Sequence, residues 1–256
     1  MKLQRSLGRV AGAALALSLM TSAALAQPPA VKNIVLVHGA LVDGSGWRAV
    51  YDILSKDGYR VSVVQEPLTG FAGDVEATRR VLARQDGPVV LVGHSYGGAV
   101  ITAAGVAPNV KALVYVAAFA PDAGETIGAL NATMPTEAGK FMTVGADGYL
   151  SFGPPAQFAA HVAADLPRAT SDFLAASQVL MAASSFGVKL TAAAWHGKPS
   201  FAIVATQDKT ISPDLERFMY HRAGATVTEI PSSHMVYMSH PDAVAGVIET
   251  AARSLR

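Results

Sequence analysis

Pro88-Val89-Val90-Leu91-Val92-Gly93-His94-Ser95-Tyr96-Gly97-Gly98 is the stretch whose reading decides the fold. An apolar run ends in Gly-x-Ser-x-Gly, and a small-residue stretch from Gly98 to Ala104 continues with helical character. The implied order is strand, tight turn, helix, with Ser95 at the apex. Glycines flanking a strained turn let strand and helix crowd together, and the serine hydroxyl projects where a substrate and a base can both reach it. An ordinary glycine-rich strand-to-helix turn carries the same local pattern, so the choice between turn and nucleophile falls to the rest of the chain.

Outward from this stretch, apolar β-type runs alternate with helical patterns. Strands are expected at Ile34–Val37, Arg60–Gln65, Val89–Val92, Ala112–Ala117, Phe201–Ala205 and Thr226–Ile230. Helices are expected at Trp47–Lys56, at Asp74–Arg84 with Asp74 as N-cap, after Ser95, at Pro213–Ala223 and at Pro241–Ser254. The strands are nearly continuous Val, Ile, Leu and Ala, as in strands buried on both faces of a parallel sheet. The fold class is therefore α/β, a doubly wound, mostly parallel sheet of about six strands. Residues 122–199 break the rhythm. They contain no convincing strand, and helical patterns fall at Pro155–Ala164, Ser171–Ala183 and Val188–Trp195. A stretch of this length is too long for a plain loop. It predicts an inserted helical cap over the carboxyl edge of a core made of residues 27–121 and 200–256.

Composition sets the remaining bounds. The chain of 256 residues is 51% hydrophobic and 15% charged, enough for a sizeable core. Residues 1–26 have a basic start (Lys2, Arg5, Arg9), a short apolar stretch and Ala24-Leu25-Ala26, which reads as a secretory signal peptide cut after Ala26. The apolar stretch is short for a spanning helix, so no stable membrane anchor is expected after cleavage. Without an Arg-Arg pair, export by the general route is expected, to the periplasm or the medium. The full chain carries 20 basic and 19 acidic residues; without the leader 17 basic residues face 19 acidic ones, a net of −2. Neither nucleic acid nor an anionic membrane surface is indicated as partner, and a homodimer is left open. The absence of cysteine excludes disulfides, a thiol nucleophile and a thiolate metal site.

A serine hydroxyl needs a base within hydrogen-bond reach, and the base needs an orienting acid. Of the seven histidines, His234 in Ser232-Ser233-His234-Met235 follows the sixth strand, at the carboxyl edge beside Ser95. His94 adjoins the serine, which turns its side chain elsewhere. His38 ends the first strand and suits bracing the loop that follows. His161 and His196 fall in the cap, and His221 in a helix. For the acid, Asp208 leaves the fifth strand. Asp122, after the fourth, is its main competitor, and Asp214 suits a first-turn helix role. Oxyanion donors are expected from the backbone N–H of Tyr96 and, in the His38-Gly39-Ala40 loop, that of Ala40.

These motifs, Val35 to Ala40, the Trp47 region, Gly93 to Gly98, Thr206-Gln207-Asp208 and Ser233-His234-Met235, give the chain a resemblance to the α/β-hydrolases. The resemblance runs along nearly its whole length, and is strongest to small esterases related to plant methyl-salicylate esterases and hydroxynitrile lyases. It implies a helical cap and ester hydrolysis through an acyl-enzyme, with no metal or organic cofactor. Ser95 would be nucleophile, Asp208 acid and His234 base, with Ala40 and Tyr96 supplying the oxyanion donors. The lyases of this group have Thr where this chain has Gly39 and Lys where it has Met235, which argues against lyase activity.

Phe119, Phe152, Trp195 and Met235 are candidate pocket residues, and an apolar or aromatic acyl group would suit them. No Arg or Lys is placed to clamp an anion, so small neutral esters are the expected substrates. A lactonase, thioesterase or amidase on the same residues, and a non-catalytic receptor using the pocket, are the competing readings.

Overall fold

The computed structural model describes residues 31–255; the expected signal peptide and its cleavage site lie outside them. The first part of the chain runs β1 (Asn33–Val37), α1 (Arg48–Lys56), β2 (Arg60–Val63), α2 (Phe71–Leu82), β3 (Val89–Ser95), α3 (Tyr96–Ala104) and β4 (Val110–Ala118). The intervening segment holds α4 (Ile127–Thr133), β5 (Met142–Val144), β6 (Tyr149–Phe152), α5 (Pro155–His161), α6 (Arg168–Ala176) and β7 (Met181–Ala182). The last part runs β8 (Ser200–Ala205), α7 (Pro213–Arg222), β9 (Thr226–Ile230), α8 (Val236–Ser239) and α9 (Pro241–Ser254).

Six strands form one parallel sheet in the order β2-β1-β3-β4-β8-β9. Every residue of β1, β3 and β8 is buried, in keeping with the apolar runs that make up most of each strand. The edge strands depart from the expected pattern. Thr226-Val227-Thr228-Glu229 is exposed in β9, and β2 is only partly buried. Polar, charged residues on an edge discourage pairing with a second sheet.

Helices flank the sheet, α1 against α9 and α2 against α3. α9 has Pro241 in its first turn, Asp242 beside it and Arg253 in the last turn, a distribution that suits the helix dipole. Its buried residues Val244, Ala245, Ile248, Ala251 and Ala252 recur at helical spacing and form one inward stripe. The strand order reverses between β1 and β3, and in open parallel sheets the crevice beyond the carboxyl ends at such a switch point is where ligands bind. The Gly39-Ala40 loop and Ser95 sit there.

Three expectations are corrected. Residues 122–199 are not purely helical: β5, β6 and β7 form an antiparallel sheet. The hairpin turns at Asp147-Gly148, where Gly148 has φ 81° and its N–H donates to the Gly145 carbonyl at 2.9 Å. Asp-Gly between short alternating runs is a strong hairpin signal, and here it outranks the surrounding helix formers. The helix expected to reach Ala183 stops at Ala176, and Val188–Trp195 contains no α-helix, only the start of a 3-10 turn at Ala194–His196. Asp74 is not an N-cap. It lies inside α2, fully buried, and its carboxylate accepts from the Leu68 N–H at 2.8 Å and the Tyr96 hydroxyl at 2.6 Å.

Candidate active site

The elbow is built by sterics. Ser95 has φ 54° and ψ −122°, a conformation that costs a non-glycine residue about 1–3 kcal/mol. The surroundings enforce it. A Cβ on Gly93 would stand 2.5 Å from the Gly97 carbonyl oxygen, and one on Gly97 would strike the His38 carbonyl oxygen. Only glycine at both positions lets strand, turn and β1 approach this closely. The register of β3 on β4 shifts between His94 and Ser95, turning the serine out of the ladder.

Loops at the ends of three strands bring the polar groups together. Ser95 Oγ lies 2.9 Å from His234 Nε2, and His234 Nδ1 lies 2.5 Å from Asp208 Oδ2. All three residues are buried. The other carboxylate oxygen of Asp208 accepts the N–H groups of Thr210 at 2.6 Å and Ile211 at 3.0 Å, which fixes the carboxylate plane. His234 follows β9 in the loop Pro231 to Met235, and the Ser232 carbonyl accepts the Gln207 N–H at 3.1 Å, so the loops of acid and base are tied directly.

His94 donates from Nε2 to the His234 carbonyl at 3.0 Å, with the two ring centroids 4.7 Å apart. Burial, reinforced by neighbouring His234, holds it well below the ordinary imidazole range, so it serves as a neutral donor. His38 donates from Nδ1 to the Gly39 carbonyl at 2.9 Å and accepts the Glu66 N–H on Nε2 at 3.0 Å. It thereby fastens the loop after β1 to the chain after β2. Glu66 Oε2 comes within 3.5 Å of His38 Nδ1, but burial lowers the imidazole and raises the carboxyl, so the contact is not an ion pair.

Ser95 and His234 open into a mainly apolar cavity. Ala40, Tyr96, Phe119, Phe152 and Met235 line it, as does Phe158. Ala40's N–H makes no backbone hydrogen bond among the described residues. Trp195 does not line the cavity, which corrects the sequence expectation. Its indole N–H donates to the Pro121 carbonyl at 3.0 Å, and the Arg222 guanidinium sits 5.7 Å over its ring. The competing acids are engaged elsewhere: Asp122 with His196 at 2.9 Å and Asp214 with Arg217 at 2.8 Å. His161 bonds the Gln157 carbonyl of its own helix, and His240 pairs with Ser239.

Sequence reasoning missed two carboxylic acids beside the site. Glu216, in the first turn of α7, is fully buried and accepts the Ala205 N–H at 3.2 Å. Burial, and then the nearby Asp208 charge, push its carboxyl well above the usual range, so it is held protonated. Its place in an Asp-Leu-Glu-Arg run reads as an exposed helix start, and only the docking of α7 on β8 buries it. Asp165 binds the loop before His234. Among the described residues no three His, Asp or Glu side chains are grouped as metal ligands, and no helix is long and apolar enough to cross a membrane.

A parallel sheet with a serine elbow, an acid after the fifth core strand and a histidine after the sixth defines a class of fold and site. The chain matches the alpha/beta hydrolase family over residues 34–247 and belongs to that family. It is similar to a carbendazim hydrolyzing esterase of Nocardioides sp. (strain SG-4G), 36% identical over 112 residues. The match covers 38% of this chain and 46% of that protein, so this chain spans less than half of the relative's length. Among solved structures it resembles a pyrethroid hydrolase from Sphingobium faniae JZ-2, with TM-score 0.74 and 23% identity over 87% of this chain and 97% of that one. It also resembles polyneuridine aldehyde esterase, with TM-score 0.74 and 19% identity over 86% and 98%. At these identities the two structural likenesses concern the fold.

Proposed function

We propose that the protein is a serine carboxylester hydrolase acting on small neutral esters through an acyl-enzyme. The observation that carries this reading is the buried relay Ser95 Oγ–His234 Nε2, His234 Nδ1–Asp208 Oδ2, at 2.9 and 2.5 Å, opening into an apolar cavity. Similarity to an esterase agrees with it.

Asp208 holds the proton on His234 Nδ1, which leaves Nε2 as the acceptor facing the hydroxyl. As Ser95 Oγ bonds to the ester carbonyl carbon, Nε2 takes the hydroxyl proton. The carbonyl oxygen becomes an oxyanion held by the N–H groups of Ala40 and Tyr96. The imidazolium gives its proton to the departing alkoxide, and the acyl group remains on Oγ. Water then loses a proton to Nε2 and attacks the acyl carbon. The proton returns to Oγ as the acid leaves.

The lining favours neutral substrates, because no Lys, Arg, Asp or Glu faces this cavity among the described residues. Lyase chemistry is disfavoured by space as well as by residue identity: a Cβ on Gly39 would stand 2.8 Å from Ser95 Cβ. Residues 122–199 act as the cap that selects the substrate, and residues 1–26 as an export signal removed after Ala26.

The test is hydrolysis of p-nitrophenyl acetate and butyrate by residues 27–256, in parallel with a lactone, a thioester and an anilide. Fluorophosphonate labelling at Ser95 is the second readout. Undiminished turnover by Ser95→Ala would overturn the assignment, and an unreactive Ser95 in folded protein would make the cavity a receptor.

A further inference from the structure

The intervening segment does more than wall the cavity: within five residues it grips both loops that carry the acid and the base. The His161 carbonyl accepts the Thr210 hydroxyl at 3.0 Å, and Thr210 is the residue whose N–H holds Asp208 Oδ1. The Val162 carbonyl lies 3.3 Å from the Ser233 Oγ, a longer approach than the one that hydroxyl makes to Asp165. Asp165 then takes three donors from the residues immediately before His234. Its Oδ2 accepts the Ser232 hydroxyl at 2.6 Å and the Ser233 N–H at 3.0 Å, and its Oδ1 accepts the Ser233 hydroxyl. Ser232 also meets the Ser239 hydroxyl at 2.8 Å, which joins the loop to α8.

A carboxylate that accepts three donors fixes their backbone more firmly than neutral acceptors do. The donors here are the two residues preceding the base, and both serines are buried. Asp165 itself stays exposed.

We propose that Asp165 is a positioning residue for His234, and that residues 161–165 form a brace through which the seating of the cap sets the alignment of Asp208 and His234. Val162, at the middle of the brace, lines the substrate cavity. Substrate contact at Val162 and alignment of the relay are thereby coupled through one short stretch of backbone. The proposal rests on the reading of His234 as general base.

The test compares the parent protein with Asp165→Asn, Asp165→Glu and Ser233→Ala, with Asp172→Asn as an exposed control on the same segment. Each folded variant is assayed for kcat and KM on p-nitrophenyl butyrate and for the rate of Ser95 fluorophosphonylation. The low-field proton resonance of His234 Nδ1–H is recorded as a readout independent of turnover. Displacing a catalytic group by ~1 Å costs on the order of 100-fold in rate. For Asp165→Asn the expected result is a kcat loss of about tenfold to 100-fold. KM should hold within about twofold and the His234 resonance should shift or broaden. Asp165→Glu should recover part of the loss, and Asp172→Asn should match the parent. A folded Asp165→Asn with parental kcat, labelling rate and resonance overturns the proposal, as does a loss confined to KM. If Asp165→Asn does not fold, Ser233→Ala decides on the same readouts. If the parent hydrolyses no ester, the esterase reading fails, and the resonance still tests the brace.

Discussion

The elbow and the segment of residues 122–199 meet at one cavity, yet different physics makes them. The elbow is local. Gly93, Ser95 and Gly97 lie within five residues, and a Cβ on Gly93 would stand 2.5 Å from the Gly97 carbonyl oxygen. The segment 122–199 is non-local. Its small sheet has strands of two to four residues, its acid loop contact spans 49 positions between His161 and Thr210, and Asp165 reaches 68 positions to Ser233. A nucleophile can be specified by a turn, whereas its alignment with a base needs elements distant in sequence to be docked together.

The sharpest way to break this comparison is at the apex. Ser95→Ala should lower kcat by about 10⁴-fold or more while leaving the thermal midpoint near that of the parent, measured by ester turnover and calorimetry. A variant that keeps its activity would remove the elbow's special status. Next is Gly97→Ala, in which the new methyl must push back the His38 carbonyl just after β1. The expected loss is about 1–3 kcal/mol of stability from overpacking, read from chemical denaturation. Unchanged stability would mean that the elbow tolerates bulk.

On the cap side the effects should be smaller and selective. Phe158→Ala enlarges the cavity, so the ratio of kcat/KM for butyrate over acetate p-nitrophenyl esters should rise by about tenfold, since one or two methylenes in a pocket carry that much discrimination. A uniform loss on both esters would assign Phe158 to packing alone.

The last effect is the pH response of the buried acid beside Asp208. Glu216 has its folded-state pKa raised, chiefly by burial. The folded protein therefore holds a proton that the unfolded chain releases above about pH 4.3, the ordinary Glu value. Its contribution to stability is fully present below that value and is lost as pH rises through the raised folded pKa. Glu216→Gln, already neutral, should flatten the decline by at most about 1.4 kcal/mol per pH unit. Thermal midpoints between pH 5 and 8 check this; parallel curves for parent and variant would refute it.

Much of the core was legible because its strands announce themselves. Val89 to Val92 and Ile34 to Val37 are buried on both faces, and that demands continuous apolar sequence. Asp208 and His234 were legible because residues leaving parallel strands converge at one edge. The cap strands were not, because Met181–Ala182 has two residues and takes its conformation from β6 and from the Leu68 carbonyl, which accepts the Ala182 N–H at 2.8 Å. Trp195 looked like a pocket residue because an aromatic side chain in an apolar segment carries no direction. A carbonyl and a guanidinium outside the cavity gave it one.

By itself the sequence determined the order of the core elements, the parallel sheet, and Ser95, Asp208 and His234 as the leading candidates at its carboxyl edge, since each follows from local periodicity or a short motif. Tertiary structure alone decided which residues face the cavity, that Glu216 is buried beside Asp208, and that Asp165 grips the loop of His234. Burial and contact across dozens of positions are properties of docked surfaces, and no window of sequence contains both partners.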